Sequence, residues 1–130
     1  IVIKIYERKA IAILYKKNSK FLIDNTSKLI TFNDIYTNDL PGVFGEKAEN
    51  NFMDFFNKLK NNNFPSKRIK NFYYFQIGRW DLQLYNDQII KFPIEKTIEA
   101  IKQSIKLINR SDFKNYNIID LRLNDKIVVE

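Results

Sequence analysis

Arg79-Trp80-Asp81-Leu82-Gln83-Leu84-Tyr85-Asn86-Asp87-Gln88-Ile89-Ile90-Lys91-Phe92-Pro93 runs through a strand, a turn, a second strand and the step into a helix. Trp80, Leu82 and Leu84 alternate with Arg79, Asp81 and Gln83, the period of a strand with one buried face. Asn86-Asp87 supplies turn chemistry, so residues 88–92 return as the second strand of a hairpin. Pro93 then opens a helical pattern, with Ile94, Ile98, Ile101, Ile105 and Ile108 on one stripe. The stretch predicts an antiparallel hairpin followed by a helix that packs on it.

The same alternation extends outward in both directions. Ile1, Ile3 and Ile5 share a face in residues 1–7, and Ala10-Ile11-Ala12-Ile13-Leu14-Tyr15 is a second apolar stretch. Lys20-Phe21-Leu22-Ile23-Asp24 turns through Asn25-Thr26-Ser27 into Lys28-Leu29-Ile30-Thr31-Phe32. Short spacing of this kind reads as an antiparallel meander. Asp39-Leu40-Pro41-Gly42-Val43-Phe44-Gly45 reads as a loop set by its Pro-Gly pair. Residues 46–61 change period, with Ala48, Phe52, Phe55, Phe56 and Leu59 on one helical face, and Asn61-Asn62-Asn63 with Pro65 end that helix. Residues 68–77 return to strand character, and residues 118–123 and 126–129 form a closing hairpin around Asn124-Asp125. The expected fold is α+β: one domain over residues 1–130, an antiparallel β-sheet with two packed helices at 46–61 and 94–109. Phe52, Leu59, Ile98, Ile101 and Ile105 are expected in its core.

Composition narrows the chemistry. Hydrophobic residues at 45% and aromatics at 15% are globular values, and 130 residues suffice for a real core. The net charge of +7 comes from lysines spread along the chain, within a Lys-, Asn- and Ile-rich text of the sort an AT-rich genome favours. That spread reads as a solvated surface. Cysteine and histidine are both absent, which excludes disulfides, Cys/His zinc sites, Ser-His-Asp triads and Cys-His dyads. Glu46 with Glu49, and Glu95 with Glu99, share helix faces, but no pocket motif or metal loop accompanies them. No catalytic residue, cofactor or metal is expected, and the chain is read as a non-enzyme.

Six short motifs in order then resemble one family. Val2-Ile3-Lys4-Ile5-Tyr6-Glu7-Arg8-Lys9-Ala10-Ile11-Ala12 is similar to its strand ending in Glu-Arg, with Lys9-Ala10 where a proline is common. Leu22-Ile23-Asp24 with Leu29 and Ile30 resembles its hairpin, and Leu40-Pro41-Gly42-Val43-Phe44-Gly45 its Leu-Pro-x-x-x-Gly segment before a helix. Arg79-Trp80-Asp81-Leu82-Gln83-Leu84 resembles its Arg-Trp strand, and Phe92-Pro93 its step into the last helix. Ile119-Asp120-Leu121-Arg122-Leu123 resembles its terminal Asp-Leu-Arg strand, with Leu123 in the manner of alphaproteobacterial members. The family is FtsQ/DivIB, and the resembling part is its extracytoplasmic β-domain. The resemblance implies a short cytoplasmic tail, a membrane helix and a POTRA domain before Ile1, with residues 1–8 the strand leading out of that domain. It implies a place on the periplasmic side of the bacterial inner membrane, at the division septum. It also implies docking of FtsB-like and FtsL-like coiled-coil division proteins, mainly through the C-terminal part of the β-domain.

The residues expected to meet a partner follow from that placement and from strand geometry. Lys126, Ile127, Val128 and Val129 form the final strand, whose outer side leaves backbone groups for an added strand. A proline at Val128 tests that edge if the Val128 N–H points outward. Asp120 and Arg122 lie two apart on the preceding strand and share a face, with Leu121 and Leu123 on the other. Arg122 is expected to supply charge complementarity, with Arg79 a weaker candidate and Leu123 where many members carry an aromatic. Trp80 is expected in the core. The competing reading is a sheet-based binder of nucleic acid or anionic surfaces, prompted by Phe72-Tyr73-Tyr74-Phe75 beside Lys67, Arg68 and Lys70. Alternating aromatics are ordinary core and cross-strand packing, and no nucleic-acid module is recognisable, so no nucleic acid is expected.

Overall fold

A computed structural model describes residues 9–26, 28–32, 39–123 and 126–130. The expected strand over residues 1–7 and the turn at Asn124-Asp125 lie outside them. Among the described residues, nine strands form one sheet: β1 (Ala10–Lys16), β2 (Ser19–Asp24), β3 (Leu29–Thr31), β4 (Gly42–Phe44), β5 (Ile69–Phe75), β6 (Arg79–Leu84), β7 (Ile89–Lys91), β8 (Ile118–Leu123) and β9 (Lys126–Val129). Two helices, α1 (Ala48–Asn61) and α2 (Thr97–Ile108), complete the α+β fold. The spatial order is β3-β2-β1-β4-β5-β6-β7-β8-β9.

The sheet is mostly antiparallel, with three parallel joins that alternation alone does not reveal: β1 with β4, β4 with β5 and β7 with β8. Two of these joins are made by the helices. α1 carries the chain from β4 to its neighbour β5, and α2 from β7 to its neighbour β8. A parallel pair needs such a crossover, whereas the antiparallel pairs close with short turns. At the β2–β3 turn, Asp24 Oδ1 accepts from Thr26 N (2.8 Å), Thr26 Oγ1 (2.7 Å) and Lys28 N (2.9 Å). That replaces the backbone bonds a turn leaves unmade.

Residues 42–44, expected as loop, form β4, which lies between β1 and β5. Three residues are too few to display a period. The glycine is required by space: a Cβ on Gly42 would come within 2.5 Å of Asn71 Oδ1 and 2.9 Å of the Phe44 ring. Gly45 then turns the chain into α1 at φ +117°, where a Cβ would meet the Tyr74 carbonyl oxygen at 2.3 Å.

Two adjacent rows of side chains show how the sheet divides its faces. Leu14, Val43, Phe72, Leu82, Ile90, Ile119 and Val129 stand side by side in register across seven strands. They face the helices, and all but Val129 are fully buried or nearly so. α1 sets Phe52 edge-on to Phe72 at 5.0 Å and Phe55 flat against Trp80 at 5.4 Å. Trp80 is therefore a core residue, as expected. The next row along, Phe44, Tyr73, Asp81, Lys91, Asp120 and Val128, points to the opposite, open face.

α2 departs from expectation in start and in rotation. Pro93-Ile94-Glu95-Lys96 is a loop ending on Lys96 at φ 56°, and the helix begins at Thr97. Ile94 is thus off the helix and exposed, and Ile98 is 44% exposed. Ile105 is only partly buried, while Ala100, Ile101, Ser104, Leu107 and Ile108 form the buried face. The isoleucine stripe marks one border of that face. Ala100, Ser104 and Leu107 extend that face on its other side. Ser104 can be buried because its hydroxyl donates to the Ile101 carbonyl at 2.6 Å. Phe52, Leu59 and Ile101 are buried as expected.

Candidate functional site

The free edge next to the open face gathers most of the residues expected to dock a partner. Among the described residues, β9 is the outermost strand and pairs only with β8. Ile118 and Glu130 exchange both backbone bonds, Ile118 N to Glu130 O at 3.2 Å and Glu130 N to Ile118 O at 3.1 Å. Antiparallel pairs alternate between bonded and non-bonded positions. Ile119 opposite Val129 is therefore a non-bonded pair, and Asp120 opposite Val128 a bonded one. The N–H and C=O of Val128 thus turn inward to β8, while those of Val129 turn out to the free edge. The condition set for a proline at Val128 is therefore not met, and that replacement would damage the β8–β9 ladder itself. One residue more on β8 than on β9 lies between Asp120 and Leu123, a bulge that bends the edge near Ile127. Ile127 is 36% exposed, Lys126 is exposed, and Val128 and Val129 are half-buried.

β8 presents its two faces as expected. Leu121 is buried toward α2, and Leu123, 58% exposed, borders a groove beside that helix with Leu121, Ala100 and Pro93. Asp120 and Arg122 share the open face. Arg122 Nε donates to Asp120 Oδ1 (2.9 Å) and Oδ2 (3.0 Å), and Nη2 to Oδ2 (2.6 Å). The Arg122 hydrogen bond is the main cause holding the Asp120 carboxyl below its ordinary pKa, with Lys91 adding attraction.

Arg79 sits differently from an exposed interface arginine. It is 9% exposed and ion-paired with Asp81, which is 7% exposed. Its guanidinium lies 4.6 Å from the centre of the Phe75 ring, and Nη1 approaches the Phe92 carbonyl at 3.5 Å. Burial pushes the Asp81 carboxyl above its ordinary pKa despite the pull of Arg79, Lys91 and Arg122. Asp81 and Lys91 were not singled out in the sequence. The available signal was Asp81's place two residues from Arg79 on one strand face. Arg79 and Arg122 border one shallow depression with Ile77, Pro93, Ile94 and Glu95.

The aromatic run of β5 does not form a stacking platform. Tyr15, Phe44 and Tyr73 stack on one another at 4.8 and 5.2 Å, so their π-faces are largely turned to each other. Tyr73 Oη and Asn71 Nδ2 each donate to Gln83 Oε1 at 2.9 Å. Among the described residues there is no group of three or more Asp or Glu side chains placed to hold a metal ion. No described helix is long and apolar enough to cross a membrane.

The fold and its surface define an α+β domain with both helices on one sheet face, charge across the other, and a terminal strand left at the edge. The sequence model of the family described as cell division protein FtsQ/DivIB, C-terminal, matches residues 12–122. Cell division protein FtsQ of Rickettsia typhi is 31% identical over 135 residues, covering 100% of this chain and 50% of that protein. FtsQ of Rickettsia bellii is 33% identical over 134 residues, covering 100% and 49%. Among solved structures, the major extracytoplasmic domain of the trans isomer of the cell division protein DivIB from Geobacillus stearothermophilus is similar with a TM-score of 0.49 and 14% identity. That likeness covers 80% of this chain and 95% of the DivIB domain. The chain spans about half the length of the curated relatives it matches. It belongs to the FtsQ/DivIB family of cell-division proteins.

Proposed function

We propose that this domain is a non-catalytic scaffold of the division machinery, working at the septum on the periplasmic side of the inner membrane. A strand from an FtsB-like partner, itself associated with an FtsL-like coiled coil, adds to the outer side of β9. The observation that carries this reading is β9 at the end of the sheet, with the Val129 N–H and C=O turned away from β8. Backbone bonds along such an edge supply affinity, and neighbouring side chains supply selectivity. Lys126 and Glu130 flank the strand and discourage indiscriminate pairing, while Ile127 and Val129 leave its centre apolar. Arg122 presents charge beside the edge, and Leu123 offers apolar surface on the other face.

The test is recovery of partners from native membranes with the tagged chain as bait. Coiled-coil division proteins in the eluate support the reading. Tight, salt-sensitive oligonucleotide binding without such partners would replace it with a nucleic-acid function, because counterion release makes that affinity fall steeply with salt.

A further inference from the structure

Gln88 lies in the turn between β6 and β7, far along the chain from the free edge, and is 5% exposed. Its side chain ties two distant segments together. Nε2 donates to the Phe113 carbonyl at 2.7 Å and to the Tyr116 carbonyl at 2.8 Å. Oε1 accepts from Asn86 Nδ2 at 2.9 Å, and Asn86 Oδ1 accepts from the Gln88 backbone N–H at 3.0 Å. Asn86 thus fixes the glutamine, and the glutamine fixes residues 113–116. A buried amide with its bonds made is costly to disturb, because each orphaned group keeps its desolvation penalty.

The segment that Gln88 holds carries the chain from α2 into β8. Its next residue, Asn117, donates its N–H to the Glu130 carbonyl at 2.7 Å, and its own carbonyl accepts from Ile89 N at 2.9 Å. With the paired bonds between Ile118 and Glu130, this fixes one end of β9. The other end has the bulge between Asp120 and Leu123. Within β9, Val129 alone packs against the core, and only in part, among the described residues. The phase of the β8–β9 ladder is therefore set at the Asn117–Glu130 end. A slip of one residue there would turn Val129 inward and Val128 outward.

We propose that Gln88 is a positioning residue for the docking edge. By clamping residues 113–116 it places Asn117 and Ile118, and through them it sets which backbone groups of β9 face outward. It acts without touching a partner. The consequence for docking rests on the edge reading above; the clamp itself does not.

The test is made by NMR on the folded, labelled chain. It reads the coupling across the hydrogen bond from Asn117 N–H to Glu130 C=O, and the Hα–Hα contact between Ile119 and Val129. Gln88→Met keeps an unbranched side chain and removes its donors and acceptor; it is expected to weaken both signals. The coupling from Ile13 N–H to the Pro41 carbonyl, a 2.9 Å bond on β1, should stay at its wild-type value. A role in stability alone would leave all three signals unchanged in the folded state. A folded Gln88→Met with wild-type signals at the edge would therefore overturn the clamp, and so would equal weakening at Ile13. If Gln88→Met fails to fold, Asn86→Ala decides, since Asn86 is exposed and its loss releases Gln88. The edge signals should weaken there too, and wild-type signals would overturn the clamp. A second readout is affinity for a synthetic peptide of the FtsB-like partner's segment that follows its coiled coil. Gln88→Met should bind it more weakly, because a loosened edge must be ordered before a strand adds. If the edge signals weaken but that peptide binds as to wild type, the clamp stands and the edge reading fails.

Discussion

At the scale of single residues, the ion pairs near the edge differ in kind. Arg122 and Asp120 meet at a partly exposed site, where pairing is worth little to stability and its use is orientation. Arg79 and Asp81 are nearly out of water, and burial outweighs Arg79's attraction in setting the Asp81 carboxyl. Such a pair is a weak source of stability, yet removing one partner strands the other charge. Arg79→Gln, which strands the buried Asp81 charge, should therefore cost on the order of 3 kcal/mol in urea unfolding, and a loss near zero would show that the Asp81 carboxyl finds another counter-charge. The pH dependences have opposite signs. Asp81 binds its proton more readily folded than unfolded, so its contribution improves as pH falls through its raised folded pKa and worsens as pH rises through it. Glu49 is pushed up by burial, but its hydrogen bond from Lys16 brings it below the ordinary value; Asp120 is lowered chiefly by Arg122. Their contributions are present above the unfolded pKa and fade as pH falls through the lowered folded one. Against a folded Asp81→Asn variant, wild-type stability should gain as acid protonates Asp81. Asp120→Asn should flatten the acid loss that wild type shows.

At the scale of elements, legibility in the sequence follows length and chemistry. β6 was readable because Trp80, Leu82 and Leu84 alternate with polar residues over a full strand. β4 was not, since Gly42-Val43-Phe44 is short and begins with the residue that usually marks a turn. Its place is dictated by β1 and β5 on either side. The rotation of α2 was hidden because Ala100 and Ser104 owe their burial to small size and a local hydrogen bond. A periodicity of large apolar residues therefore selects the stripe one border away. The buried and exposed isoleucines of α2 separate these accounts. Ile101→Ala should cost about 2–5 kcal/mol, whereas Ile98→Ala should stay within about 0.5 kcal/mol. Equal losses in denaturant unfolding would restore the isoleucine stripe as the core face. Gly42→Ala should cost about 1–3 kcal/mol by crowding Asn71 and Phe44. A neutral result would mean that β4 moves aside without penalty.

At the scale of the whole molecule, one asymmetry organises the surface. Both described helices cover one face of the sheet, and a newcomer can reach the β6–β9 end through the opposite face, where Lys91 and Arg122 lie, or through the edge. The β8–β9 end joins free backbone groups, the Arg122 charge and the exposed Leu123 within a few residues. Lys126–Val129 and the Asp120–Arg122 face were legible in the sequence as a closing hairpin. The inward turn of Val128 was not, because hydrogen-bond phase depends on the pairing with Ile118 and Glu130 and leaves no mark in hydrophobicity. The most direct test of edge docking is calorimetric binding of the partner's strand-forming segment to Val129→Pro, Val129→Ala and Arg122→Glu, with folding checked by circular dichroism. Val129→Pro removes the outward N–H and should abolish binding, while Val129→Ala, which keeps it, should still bind. Arg122→Glu should weaken binding by at least about tenfold, or about 1.4 kcal/mol. Wild-type affinity in folded Val129→Pro and Arg122→Glu would contradict the account and place the docking site elsewhere.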